Sequence, residues 1–331
     1  SVTVPDAAGN ATTATDTQTY TLKTDLDIDV ATMTAAQGFR IFGADAGDKA
    51  GWSVSSAGDI NGDGFDDLIV GAARGDDASS GKSYAGQAIV VFGKAGGFAD
   101  IDVSSASFVS SGAGFRIFGA DAFDYAGWSV SSAGDINGDG FDDLIVGAAV
   151  GDGPTNGRWA AGEAIVVFGK AAGLSDIDVS SASFGSSGAG FRIFGADAAD
   201  SAGTSVSSAG DVNGDGFDDL IVGAFGGDGA TNGKSSAGEA IVVFGKAGGF
   251  ADIDVSSASF LSSGAGFRIF AVDTFDEAGS SVSSAGDING DGFADLIVGV
   301  PGGDGNANTN TNSGEAIVVF GKAGGFADID V

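Results

Sequence analysis

Four short stretches of this 331-residue chain place oxygen-bearing side chains at alternate positions around a glycine turn. In the first, Asp59, Asn61, Asp63 and Asp67 supply side-chain oxygens, Phe65 supplies its carbonyl, and Gly64 allows the sharp bend. The equivalent sets are Asp135, Asn137, Asp139, Phe141 and Asp143; Asp211, Asn213, Asp215, Phe217 and Asp219; and Asp287, Asn289, Asp291, Phe293 and Asp295. Calcium takes six to eight oxygens at about 2.3–2.6 Å, which a short loop provides only when alternate side chains turn inward. One Ca2+ per loop, four in all, is therefore expected, because three carboxylates converging on one turn repel strongly without a cation. The position before the last Asp is Asp66, Asp142 and Asp218 but Ala294 in the fourth copy, so it is not counted as a ligand. An EF-hand would need Glu at the twelfth loop position, where Val70, Val146, Val222 and Val298 stand. A turn between two β-strands fits better, with affinity on the order of 10⁻⁴ to 10⁻³ M, which fills outside cells.

The loops must be positioned by strands. Each runs into Asp-Leu-Ile-Val-Gly, as at Asp67 to Gly71, and each follows a Ser-Val-Ser-Ser-Ala-Gly stretch, as at Ser53 to Gly58. The loops begin at Asp59, Asp135, Asp211 and Asp287, a period of 135 − 59 = 76 residues. Each repeat also carries a third apolar run, as at Gln87 to Gly93, and after a connection holding Asp-Ile-Asp-Val a fourth, as at Gly114 to Ala120. No segment keeps a 3.6-residue apolar period for ten residues, so the chain is expected to be all-β. Four antiparallel strands repeated at fixed period is the pattern of a propeller blade. The repeats are placed at about 38–113, 114–189, 190–265 and 266–331. The Gly38 to Ala44 stretch is a fourth-strand sequence ahead of the first repeat, and the last repeat stops before its own. A four-bladed ring closed by that N-terminal strand is expected, with an open or intermolecularly closed blade array as the alternative.

Composition narrows the setting. Lys plus Arg number 14 against 45 Asp plus Glu, a formal charge of −31, which disfavours nucleic acid and anionic membranes and favours cations. Four bound calcium ions would bring this to −31 + 8 = −23. The chain has no Cys and no His, so thiol chemistry and the commonest general base are absent and no enzyme activity is expected. No stretch approaches the roughly 20 apolar residues of a membrane span. Gly supplies 60 residues while hydrophobic residues make 43%, which suits short strands and tight turns.

The Phe-Gly of Ile-Phe-Gly-Ala-Asp, the Asp-Ile-Asn-Gly-Asp-Gly-Phe-Asp-Asp loop and the Val-Gly-Ala that follows it resemble the FG-GAP repeat, the blade unit of integrin α-subunit propellers and of many bacterial surface proteins. The resemblance covers residues 25–331. It implies calcium at the loop positions named above, and a ligand face opposite the calcium loops. The family usually closes with seven blades, from which four long repeats depart. The fourth copy also departs, reading Phe270-Ala271 and Val298-Gly299-Val300-Pro301.

Loops joining second to third and fourth to first strands lie opposite the calcium turns and carry Trp52, Tyr84, Trp128 and Trp159. Aromatics beside polar loops stack on sugars or anchor a protein partner, although Trp52 and Trp128 also suit a cap on the core between blades. Asp45 with Asp48, Asp121 with Asp124 and Asp197 with Asp200 read as solvated turns in preference to a second cation site or partners for Arg40, Arg116 and Arg192. Asp76, Asp152, Asp228 and Asp304 read as turn caps, and Arg74-Gly75-Asp76 as a chance tripeptide, since Val150, Gly226 and Gly302 replace the Arg elsewhere.

Residues 1–24 resemble the final strands of the Ig-like repeats of large bacterial adhesins, too short for a domain of that kind. They are expected to be a β extension that either ends a preceding domain or adds a strand to another subunit. The functional expectation is a non-enzymatic, calcium-binding structural or adhesion module, extracellular or on a bacterial surface, which self-assembles as a filament by N-terminal strand exchange. The alternative is a carbohydrate-binding propeller. Partners expected are calcium, further copies of the chain, and a surface glycan or protein.

Overall fold

In the computed structural model, residues 2–5, 11–14, 30–76, 81–305 and 312–331 are described. They fall into two units, residues 1–40 with 97–99, and residues 41–96 with 100–331. The first holds an antiparallel hairpin of β1 (Val2–Pro5) and β2 (Ala11–Ala14), in register from Val2↔Ala14 to Pro5↔Ala11. The same unit holds a stacked Phe39–Phe98 pair with ring centroids 4.4 Å apart. The expected 24/25 boundary lies outside the described residues.

The second unit is nearly all β, as the periodicity predicts. It opens with β3 (Ile41–Phe42), followed by β4 (Ala50–Gly58), β5 (Asp67–Ala72), β6 (Gln87–Val91), β7 (Ile101–Asp102) and β8 (Gly114–Phe118), the last of which opens the segment expected as the second repeat and completes the first blade. The second repeat gives β9 (Ser129–Gly134), β10 (Asp143–Ala148), β11 (Glu163–Val167), β12 (Ile177–Asp178) and β13 (Gly190–Phe194). The third gives β14 (Ser205–Gly210), β15 (Asp219–Ala224), β16 (Glu239–Val243), β17 (Ile253–Asp254) and β18 (Gly266–Phe270). The fourth gives β19 (Ser281–Gly286), β20 (Asp295–Val300), β21 (Glu315–Val319) and β22 (Ile329–Asp330).

In the first three blades four strands form an antiparallel meander and a fifth adds in parallel, with sheet orders β12-β8-β6-β5-β4, β17-β13-β11-β10-β9 and β22-β18-β16-β15-β14. These are propeller-type blades. The Asp-Ile-Asp-Val segment, read from sequence as connection only, adds a fifth strand. Ile177 and Asp178 pair in parallel with Ile117 and Phe118 of the preceding blade, and β17 and β22 do the same one blade further on. An ion pair fixes each tie: Arg116 with Asp176, Arg192 with Asp252 and Arg268 with Asp328, at 2.5, 2.8 and 2.9 Å. Arg116 and Arg192 are thus engaged by Asp176 and Asp252, in keeping with the preference above against their pairing with the acidic turns. Two four-residue helical turns, α1 (Ser107–Ser110) and α2 (Ser259–Ser262), bury Phe108 and Phe260.

Alternation explains the core. In the two middle blades strands two and three are buried along their whole length and read as continuous apolar runs, Leu-Ile-Val and Ala-Ile-Val-Val. The three clusters lie between successive blades: Ile69, Phe115 and Ile117 meet Val130, Leu144 and Ile165; Phe191 and Ile193 meet Val206 and Leu220; Phe267 and Ile269 meet Val282 and Leu296. Close approach demands glycine at Gly147, whose missing side chain leaves room for the Gly203 carbonyl.

The expected closure by the N-terminal strand is not formed. Among the described residues β21 bonds only to β20, leaving a three-stranded fourth sheet, and β3 pairs in parallel with β7. Correspondingly, the inner strand β4 of the first blade has β9 beside it but not β19 of the fourth blade, and Val54 is exposed.

Candidate functional site

Each acidic loop is the turn between the first two strands of a blade, where a one-residue register shift beside Gly58, Gly134, Gly210 or Gly286 starts the bend. Left-handed glycines at 62 and 64 (φ 72° and 87°) complete it. In the first loop Asp59 Oδ1 accepts from Gly62 N and Asp63 N at 2.8 and 3.1 Å, and Oδ2 from Gly64 N at 2.8 Å. Asn61 Oδ1 accepts from Asp63 N, and Asp63 Oδ1 from Phe65 N. The same bonds recur at Asp135, Asn137 and Asp139, at Asp211, Asn213 and Asp215, and at Asp287, Asn289 and Asp291.

The last Asp does something different. Asp67 is wholly buried, and its two oxygens accept from Ile60 N and Gly93 N, joining the start of the loop to the end of the third strand. Asp143, Asp219 and Asp295 repeat this. Burial pushes Asp67 up to about 6, Asp143 to about 8 and Asp219 to about 7, and the charges of two other loop carboxylates add to the shift in each case.

All twenty expected site residues thus lie on the four turns. Among the described residues no three Asp or Glu side chains converge as a ready chelate, since the loop carboxylates are turned onto the loop's own N–H groups. A carboxylate oxygen retains a second lone pair after one such bond. The donor set is oxygen throughout, hard, anionic and turned about glycine, and it fits calcium. Among the leading influences on the buried Asp, burial and two further loop carboxylates all oppose its charge, so a proton or a cation would relieve it.

The Asp preceding it has another task. Asp142 Oδ2 accepts from Asp59 N of the previous loop at 2.8 Å, and Asp218 Oδ2 from Asp135 N at 3.0 Å. Ala294 keeps only the main-chain half, donating to Asp211 O at 3.0 Å. Sequence reasoning left this role out; its signal is the invariant Gly before each loop, where a side chain would strike Asp142 or Asp218.

At the opposite ends of the strands the acidic turns are corrected from solvated to buried. Asp48, Asp124, Asp200 and Asp276 are buried and accept from the N–H groups of Asp45, Asp121, Asp197 and Asp273. Glu163 and Glu239, missed in the sequence, are buried nearby at the head of the third strand, each with Oε1 unpaired. The only sequence signal was a charge opening an apolar run. Asp76, Asp152, Asp228 and Asp304 cap loop N–H groups eight residues on, at Tyr84, Ala160, Ser236 and Asn312.

Three of the four named aromatics come together. Trp52 and Trp128 stand 5.0 Å apart, Tyr125 meets Trp128 edge-on, and Tyr84 stacks on Tyr125 and touches Phe123. Trp52, Tyr84 and Phe123 are exposed. Among the described residues Trp159 is the most exposed large hydrophobic side chain and makes no ring contact.

The FG-GAP repeat family model matches residues 50–91, 126–160, 202–243 and 278–319, each running from the first strand across the acidic loop. The chain is 29% identical over 262 residues to integrin alpha pat-2 of Caenorhabditis elegans, covering 76% of this chain and 18% of that protein. It is 35% identical over 187 residues to integrin alpha-PS5 of Drosophila melanogaster, covering 55% of this chain and 15% of that protein. It therefore spans less than a fifth of the length of these relatives.

Proposed function

From the premise that the chain is built of four FG-GAP repeats and is integrin-like, we propose that it is a non-enzymatic, calcium-binding structural and adhesion module of an extracellular protein. The observation that carries this reading is the buried Asp67, Asp143 and Asp219, each raised first by burial and further by the charges of two other carboxylates of its own loop. Each loop, with its Asn and Phe carbonyl, would hold one Ca2+, which supplies the missing positive charge and fixes the hairpin between the first two strands. No helix among the described residues is long and apolar enough to cross a membrane. A bacterial surface is the proposed location, with the N-terminal hairpin adding a strand to another subunit to build a filament. Calorimetric titration tests the calcium reading: four Ca2+ per chain and a large rise in melting temperature are expected, and a melt unchanged between calcium and EGTA overturns it.

A carbohydrate-binding role is the second reading, favoured by the Tyr84, Tyr125, Trp128 and Trp52 cluster. Saturable glycan binding lost on Trp52→Ala or Trp159→Ala would establish it, and turnover of any polysaccharide would move the protein into the enzymes.

A further inference from the structure

Inside the chain one blade-to-blade junction is built three times. At each, a Phe of the later loop lies over a glycine of the earlier one: Phe141 over Gly62, Phe217 over Gly138, Phe293 over Gly214. The earlier loop gives a carbonyl to the later blade, from Ile60 to Lys170 N, Ile136 to Lys246 N and Val212 to Lys322 N, each at 2.9 Å. An inner-strand Ser Oγ receives the next inner strand's Val N–H at two of the junctions, Ser53 from Val130 and Ser205 from Val282. A parallel bridge links the two blades higher up, as Gly86 to Ala126 and Gly238 to Ala278.

The two ends of the series carry the two halves of a fourth such junction, separately. On the fourth blade Ile288 is 57% exposed, where Ile60, Ile136 and Val212 are at most 1% exposed. A side chain on Gly290 would meet nothing within 4 Å. On the first blade Val54 is 66% exposed against 5–8% for Val130, Val206 and Val282. Leu68 is 39% exposed against 0–1% for Leu144, Leu220 and Leu296, and the Phe65 ring is in solvent. Among the described residues no strand pairs with the outer edge of β21, the third strand of the fourth blade, where Val318 is exposed; β8, β13 and β18 fill the equivalent edges. The β3 strand belongs to the same Gly-Phe-Arg-Ile-Phe sequence as those three.

We propose that the fourth blade of one molecule receives the first blade of a second copy, Phe65 over Gly290 and Val54 beside Val282, in the geometry of the internal junctions. The occupant is argued from continuity: three interfaces with these residues already exist, and each half left open carries the residue types that its internal counterparts use. Such a contact is heterologous, so repetition gives a ring or a filament. This rests on the self-assembly part of the reading above and offers a joint other than the N-terminal hairpin named there, so the two joints are told apart by the test below.

The test is light scattering of the full chain across a concentration series in millimolar calcium, with Val54→Asp and Ile288→Asp. Both side chains are exposed in one molecule, so the fold survives, which the thermal melt checks. The native chain is expected to rise to about twice the one-chain mass and beyond, and each variant to stay at one chain. An equal mixture should form a two-chain species, since the first variant keeps an intact fourth blade and the second an intact first blade. A native chain of constant one-chain mass overturns the proposal, as does a mixture that stays monomeric. Assembly that persists in both variants also overturns it and leaves the N-terminal hairpin as the joint. A failure of calcium binding alone would appear in the titration and not in this comparison.

Discussion

Gln87 donates from Nε2 to Asp48 Oδ2 at 3.4 Å, and in the next two repeats the same positions hold two acids, Glu163 with Asp124 and Glu239 with Asp200. Burial is the first cause that pushes Glu163 and Glu239 up to about 8, and the neighbouring Asp124 or Asp200 charge adds to it. The unfolded reference is 4.5 and the folded value is higher, so the contribution to stability is whole below pH 4.5 and is lost as pH rises towards 8. Glu163→Gln and Glu239→Gln, copying Gln87, should each raise stability at pH 8 by on the order of 2 kcal/mol and flatten the pH profile. Urea unfolding at pH 5 and pH 8 checks this; equal gains at both would contradict it.

The calcium loops should show a sign reversal with pH. In calcium-depleted protein Asp67, Asp143 and Asp219 lie above their ordinary 3.8, at about 6, 8 and 7. Their stabilising contribution is therefore complete below 3.8 and fades as pH climbs through 6 to 8. A bound cation favours the ionised form and reverses this. The gap in melting temperature between calcium-loaded and depleted protein is expected to widen from pH 5 to pH 8. A gap that narrows over that range would contradict the assignment.

Much of this was legible because strands and loops repeat. Alternation and period place β4, β5 and β6 and their acidic turn, since side-chain types on the two faces follow burial directly. The two-residue β7, β12, β17 and β22 were not legible: Ile-Asp has no period to read, and its pairing depends on a strand of the preceding repeat. Burial of Asp124 was hidden for the same reason, because an acidic turn looks solvated until the neighbouring blade covers it. The pairing of β3 with β7, and not with β21, was hidden likewise, because a two-residue Ile-Phe strand carries no pattern that selects its partner.

Asp142 and Asp143 are adjacent and should fail differently. Asp142→Ala removes the acceptor for Asp59 N between blades, at a cost of about 1.5–3 kcal/mol for a charged hydrogen bond. It should leave four calcium sites, as Ala294 stands at that position in the fourth loop. Asp143→Ala removes a ligand and should leave three. Titration calorimetry separates the two, and loss of a site in the first variant would return Asp142 to the ligand set.

Gly138 and Gly290 have nearly the same backbone, φ 73° and 77°, so replacing either by Ala carries the same left-handed penalty of about 1 kcal/mol. They differ in what covers them. A side chain on Gly138 would collide with the Phe217 ring, whereas Gly290 faces open space. Gly138→Ala should therefore cost about 1–3 kcal/mol more than Gly290→Ala, the range for overpacking a tight contact. Gly290→Ala should fold nearly as well as the native chain yet lose the concentration-dependent rise in mass, because the Phe65 ring of a second copy needs that space. Unfolding curves and light scattering on the same two variants check both halves, and assembly by Gly290→Ala at native strength would separate the loop contact from the joint.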